Sequence, residues 1–140
     1  MKTLGYYNGT YDELENMMVP FDDRVCFFGD GVYDAGPARN YHLFAIDEHI
    51  DRFFNSAKLM DIEIPCSKEE LKELLASLVL KMDTGNNFVY WACTRGTGIR
   101  NHVYKKGPGN LWVMIKPETL DTCQKLSLIH ISEPTRHSLI

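Results

Sequence analysis

The sequence has no long apolar run. Nothing in its 140 residues approaches the ~20 consecutive apolar positions that a bilayer-spanning helix requires. The first residues, Met1 to Asn8, lack the apolar stretch of a secretory signal. A basic excess is missing too: 15 Lys+Arg stand against 19 Asp+Glu, for a formal net charge of −4. That balance argues against a dedicated nucleic-acid binder, which needs clustered cations to displace counterions from phosphates. Cysteine is sparse and scattered. Cys26, Cys66, Cys93 and Cys123 form no C-x-x-C pair and have no histidine at ligand spacing, so neither a zinc site nor a redox motif is expected. They read as free, buried or half-buried thiols in a reducing compartment, and the chain is expected to be cytoplasmic. Internal repeats and low-complexity segments are also lacking.

What remains is an ordinary globular composition, 44% hydrophobic and 24% charged, in a chain long enough for one domain with its own core. Asn8-Gly9 sits between aromatic and β-branched residues, a strong hairpin signal. An apolar run, Val25 to Phe28, meets Gly29-Asp30-Gly31, where glycines permit a sharp turn, and resumes at Val32-Tyr33. A first helix is expected from an Asp47 N-cap to about Met60, with Ile50, Phe53, Phe54 and Ala57 on one face. A second follows the capping box Ser67-x-x-Glu70, with a stripe of Leu71, Leu74, Leu75, Leu78, Val79 and Met82, and ends at Asp83-Thr84-Gly85. Phe88 to Thr94 and Asn110 to Ile115 read as strands. The fold expected is α+β, a mainly antiparallel sheet packed with two helices.

Three stretches carry candidate chemistry: Phe28 to Asp34, Asp47 to Ala57, and Thr94 to His102. Each has a plain structural explanation. Gly29-x-Gly31 lacks the third glycine and the following helix of a dinucleotide loop, and serves equally as a tight turn. Arg52 lies four residues from Glu48, the spacing of a solvated helix ion pair, and His49 reads as a helix-surface or supporting histidine. Arg100 and His102 could form a simple basic turn. Taken together, Tyr33, Arg52, Arg100 and His102 supply hydrogen-bond donors for anionic groups, for which the arginine fork is well shaped. From the residues alone, the reading is a domain that binds a small anionic ligand.

Those three stretches, in their order and spacing, resemble the fold-type IV (class IV) pyridoxal-phosphate-dependent aminotransferases, and most of all their D-amino-acid aminotransferase branch. The resemblance runs from about Leu4 through Lys116. It implies that the F-G-D-G-V-Y segment brings Tyr33 to the active site and that the E-H-I-D-R helix gives Arg52 to the phosphate of pyridoxal 5′-phosphate. The T-R-G-x-x-x-R-x-H loop would bring Arg100 and His102 to the substrate carboxylate, reaching into a partner's site within a homodimer. It also implies that the Schiff-base lysine, with the glutamate at the pyridine nitrogen, belongs to a following domain. Lys116 and Lys125 precede that lysine's position, so no catalytic residue is assigned in this chain, and the fragment alone is expected to be inactive.

The activity so implied is amino-group transfer between a D-amino acid and a 2-oxo acid. The alternatives on the same scaffold are 4-amino-4-deoxychorismate lyase, whose loop typically reads Arg-x-Tyr, and branched-chain aminotransferase, whose loop lacks the Arg-x-His pair. A non-catalytic dimerising or ligand-binding module is the alternative of a different class. After Tyr33 the chain reads Asp34-Ala35-Gly36-Pro37-Ala38-Arg39, where D-amino-acid aminotransferases more often carry glutamate and valines; Ala35 would reshape the pocket wall. Finally, Leu126 to Arg136 resembles the in-frame translation of a sequencing-library adapter. The expected organisation is therefore an N-terminal domain over 1–125 and a non-native tail over 126–140.

Overall fold

The computed structural model describes residues 1–118; Cys123 and the expected tail at 126–140 lie outside them. The chain opens with a hairpin, β1 (Leu4–Tyr7) and β2 (Thr10–Asp12). Asn8 and Gly9 turn it at φ of 45° and 100°, the left-handed pair that a tight two-residue hairpin turn requires. The apolar run that follows is helical for one turn, α1 (Arg24–Phe28). Asp23 caps it by accepting from the Val25 amide at 3.0 Å, and Gly29 closes it at φ 60°.

β3 (Gly31–Arg39) is longer than the sequence signals, because it passes through Gly36-Pro37, an ordinary breaker pair. The reason lies in its pairing. The Pro37 carbonyl accepts from Phe44 N on the outer side of β3, so its ring nitrogen also points away from the neighbouring ladder and no bond is lost. A two-residue strand, β4 (His42–Leu43), edges β3 there.

Helices α2 (Ile46–Leu59) and α3 (Lys68–Val79) follow, then β5 (Asn87–Thr94) and β6 (Asn110–Pro117). Asp47 does not cap α2. The N-cap is Ala45 at φ 52° with no side-chain bond, and Asp47 lies in the first turn, where it takes Lys72 of α3 at 2.6 Å. A carboxylate there still complements the helix dipole. The capping box of α3 is present: the Glu70 amide donates to Ser67 Oγ and the Ser67 amide to Glu70 Oε1, each at 3.1 Å. α3 ends at Val79, short of Asp83, and Met82 joins the core from the turn beyond.

The six strands form one sheet in the order β2-β1-β6-β5-β3-β4, with every neighbouring pair antiparallel. One face carries Leu4, Ala38, Val89, Trp91, Cys93, Leu111, Val113 and Ile115, all buried against the apolar stripes of α2 and α3. The opposite face carries Tyr33, Tyr90 and Trp112. Among the thiols, Cys93 is buried and held up at about 12 by that burial, Cys66 is half-buried, and Cys26, against expectation, is exposed because its short helix lies on the surface. No helix among the described residues is long and apolar enough to cross a membrane.

The register of α2 has a direct test. Phe53 is fully buried and meets Trp91 edge-on at 6.4 Å, whereas Phe54 is only half-buried under Lys68. Phe53→Ala should cost about 3–5 kcal/mol in urea unfolding. Phe54→Ala should cost less than half as much; equal losses would mean the helix face is rotated.

Candidate active site

Consecutive residues of β3 point to opposite faces, and the site follows from that alternation. Tyr33 lies on the face away from α2, half exposed, its ring stacked on Tyr90 with centroids 5.3 Å apart. Asp34 turns the other way and is buried at 4% exposure. A carboxylate placed there must be paired, and α2 supplies the partners. Arg52 Nε donates to Asp34 Oδ2 at 2.8 Å and Arg52 Nη2 to Oδ1 at 2.7 Å, a two-pronged ion pair. His49 Nδ1 donates to Oδ1 at 2.9 Å, and the Ala35 amide donates to the same oxygen at 2.8 Å.

Arg52 therefore pairs with Asp34 across 18 residues and not with Glu48 one turn away. The same carboxylate sets His49, whose ring also meets Trp91 edge-on at 6.0 Å. Gly36 makes room for it: a Cβ there would stand 3.0 Å from His49 Nε2. His49 takes the supporting place that was one of its two readings, and Asp34 is the site residue the sequence reading missed. The available signal was Asp34 itself, a charge inside a strand that would otherwise face the core.

The pairing leaves part of Arg52 unused. Nε and Nη2 are engaged, but Nη1 donates to no described residue, and the side chain is 55% exposed. A cationic edge thus faces outward, held by a buried anion behind it. Such an edge fits a phosphate group.

Arg100 and His102 each lie against the ring of Phe28. The Arg100 guanidinium lies 5.3 Å from the Phe28 ring centroid and the His102 ring 5.4 Å from it. Neither makes a hydrogen bond or ion pair with a described residue, and both are exposed. Both thus border one ring. Among the described residues, no hydrogen bond, ion pair or ring contact joins them to Tyr33 or to Arg52, and none joins Tyr33 to Arg52.

Burial alone would raise the pKa of Asp34, but the hydrogen bonds from Arg52, His49 and the Ala35 amide, with the Arg52 charge, outweigh it and lower the carboxyl to about 2. A depressed carboxyl stabilises the fold above its unfolded value of 3.8, and that contribution disappears as pH falls from 3.8 through 2. The shift corresponds to about 2 kcal/mol at neutral pH. Asp34→Asn should therefore lower stability at pH 7, and the gap to wild type should narrow as pH falls from 4 to 2. Urea midpoints across that range read it; a gap independent of pH would show that the Asp34 charge contributes nothing.

The comparisons with known proteins agree on one relationship. A model of the family described as amino-transferase class IV matches residues 31–137. A D-alanine aminotransferase of Listeria monocytogenes is 46% identical over 92 residues, covering 65% of this chain and 32% of the relative. Its counterpart in Staphylococcus epidermidis is 32% identical over 116 residues, covering 83% of this chain and 41% of the relative. Among solved structures, the branched-chain aminotransferase of the thermophilic archaeon Thermoproteus uzoniensis, with norvaline, superimposes with a TM-score of 0.70 at 17% identity, over 83% of this chain and 41% of that one. The Escherichia coli branched-chain enzyme gives 0.73 at 18% identity, over 84% and 42%. At such identities the structures establish the fold alone. The chain spans between 32% and 41% of the length of these two curated relatives.

Proposed function

The chain belongs to the class IV amino-transferases, and on that premise we propose that it is the N-terminal part of a pyridoxal-phosphate-dependent transaminase moving amino groups from D-amino acids such as D-alanine to 2-oxo acids. The observation that carries this reading is the pair Arg100 and His102, each against the Phe28 ring with its donors uncommitted among the described residues. A guanidinium and an imidazole so placed suit a carboxylate, which needs a paired cation once water is excluded. The curated relatives named above are D-alanine aminotransferases, which favours the D-amino acid over other donors.

In this reading Arg52 holds the cofactor phosphate through its outward Nη1 edge, while Asp34 and His49 keep the guanidinium from swinging away. Bound there, pyridoxal phosphate would supply the electron sink that lets a substrate α-proton leave. Tyr33, its hydroxyl free of hydrogen bonds among the described residues, orients the carboxylate together with Arg100 and His102. Those last two serve the site of a second copy, so the working enzyme is a homodimer. The covalent lysine is assigned to none of the described residues. Residues 1–125 are the native N-terminal domain in this proposal, and residues 126–140 are not native; independent sequencing of the locus decides that point.

Kinetics on the cofactor-loaded, complete enzyme separate the assigned roles. Arg100→Ala leaves a desolvated carboxylate unpaired, at a cost of about 2–5 kcal/mol, so kcat/KM for D-alanine should fall roughly 30- to several-thousand-fold with cofactor retained. Arg52→Ala should do the reverse, releasing cofactor on dialysis. His102→Tyr should lower D-alanine turnover with bound cofactor unchanged. Equal turnover of D- and L-alanine by the wild type would overturn the D-specific assignment.

A further inference from the structure

We propose that Arg24, fixed by Asp30, is a positioning residue that sets the substrate loop by holding the backbone between Arg100 and His102. The proposal rests on the carboxylate-binding role given to that loop above.

Asp30 is nearly buried, its side chain 12% exposed, and it receives two guanidinium groups on one oxygen. Arg24 Nε donates to Oδ2 at 2.9 Å and Arg95 Nε donates to it at 2.8 Å. Burial opposes the charge on Asp30, but the hydrogen bonds from Arg95 and Arg24 prevail and keep the carboxyl below its ordinary range. Both arginines then extend to carbonyls elsewhere. Arg95 donates to the carbonyls of Asp61 and Met60 at 2.8 Å each, anchoring the end of α2. Arg24 Nη1 donates to the carbonyl of Asn101 at 2.6 Å. That carbonyl belongs to the residue that links Arg100 to His102 in the chain.

The surrounding bonds give the contact its leverage. The loop base is fixed by main chain, Arg24 N donating to the Gly96 carbonyl at 2.9 Å and Gly98 N to the Asp22 carbonyl at 3.0 Å, and by the Asn110 side-chain amide, which donates to Thr97 Oγ1 at 2.8 Å. Beyond Gly98 the loop is exposed, Ile99 at 93% and Val103 at 76%. The Asn101 side chain tightens the tip locally by accepting from the Val103 amide at 3.1 Å. Across residues 99–103, the Arg24 bond is the one hydrogen bond among the described residues that reaches another part of the chain. Arg24 also lies 4.7 Å from the centroid of Phe28, the ring that Arg100 and His102 share. One arginine thus fixes both the backbone of the tip and the aromatic surface beneath it.

A purely structural arginine would change stability and turnover together when replaced. A positioning residue for carboxylate binding should change KM with little effect on kcat. Arg24→Met keeps the aliphatic stem and removes the donors. In the cofactor-loaded complete enzyme it should raise KM for D-alanine roughly tenfold, with kcat and bound cofactor within twofold of wild type. In the 140-residue chain, trypsin should cut after Arg100, Lys105 and Lys106 about fivefold faster, because the tip has lost its tether. Arg24→Lys keeps the charge toward Asp30 but not the fork that spans to Asn101, so it should raise KM by a smaller factor, roughly threefold; it also serves if the methionine variant fails to fold. An unchanged KM in both variants of an enzyme that transaminates D-alanine would overturn the positioning role and leave the proposed function intact. A wild type that turns over no D-amino acid would overturn both, even if trypsin shows the tether.

Discussion

A carboxylate removed from water must find partners that do not leave, and three such carboxylates lie within one short segment of this chain. Asp23 is fully buried and receives the Thr94 hydroxyl at 3.1 Å and the Asn110 amide at 2.9 Å. Asp30 receives Arg24 and Arg95, and Asp34 receives Arg52 and His49. Each reaches a different element. Asp23 ties the facing ends of β5 and β6, Asp30 ties the loop between them, and Asp34 ties α2. The segment through α1 and the start of β3 acts as a set of buried anchors onto which the later chain is fastened. The apolar core holds the helices to the sheet, but it is non-directional; the charged contacts fix which side chain faces outward.

The legible parts of this fold are those set by local rules. Asn8-Gly9 dictates its hairpin through backbone conformation, and Ser67 with Glu70 dictates the start of α3 through reciprocal bonds three residues apart. The stripe of Ile50, Phe53 and Ala57 gives the buried face of α2 through helical period alone. Where two signals competed, the tertiary one prevailed. Gly and Pro in sequence ordinarily interrupt a strand, yet Gly36-Pro37 stays in β3 because the proline nitrogen points to the side where no ladder bond is needed. Asp47 reads as a cap, yet α2 begins earlier, on a left-handed Ala45. The residues of the candidate site were readable as an ensemble of donors. Their partners were not: Arg52 bonds across 18 residues to Asp34, and Arg95 across 65 to Asp30, separations that carry no periodic signal.

The division of labour between neighbouring residues of β3 shows how little sequence a site requires. Tyr33 and Asp34 differ by one step and face opposite sides of the sheet. One offers a hydroxyl outward; the other, invisible from outside, orients an arginine. The short Asp34 carboxylate suits this geometry, since Arg52, His49 and the Ala35 amide meet it at ordinary hydrogen-bond distances.

The shared use of Asp30 also decides which cation of this corner stays available. Arg24 and Arg95 are both turned to one carboxylate, whereas the Arg100 guanidinium beside Phe28 is exposed and makes no ion pair with a described residue. An exposed charge of this kind attracts an anion only over the ~8 Å Debye length of physiological ionic strength. With two arginines occupied by Asp30, the pull of the loop tip on small anions rests on exposed charges such as Arg100, and it weakens as salt is added.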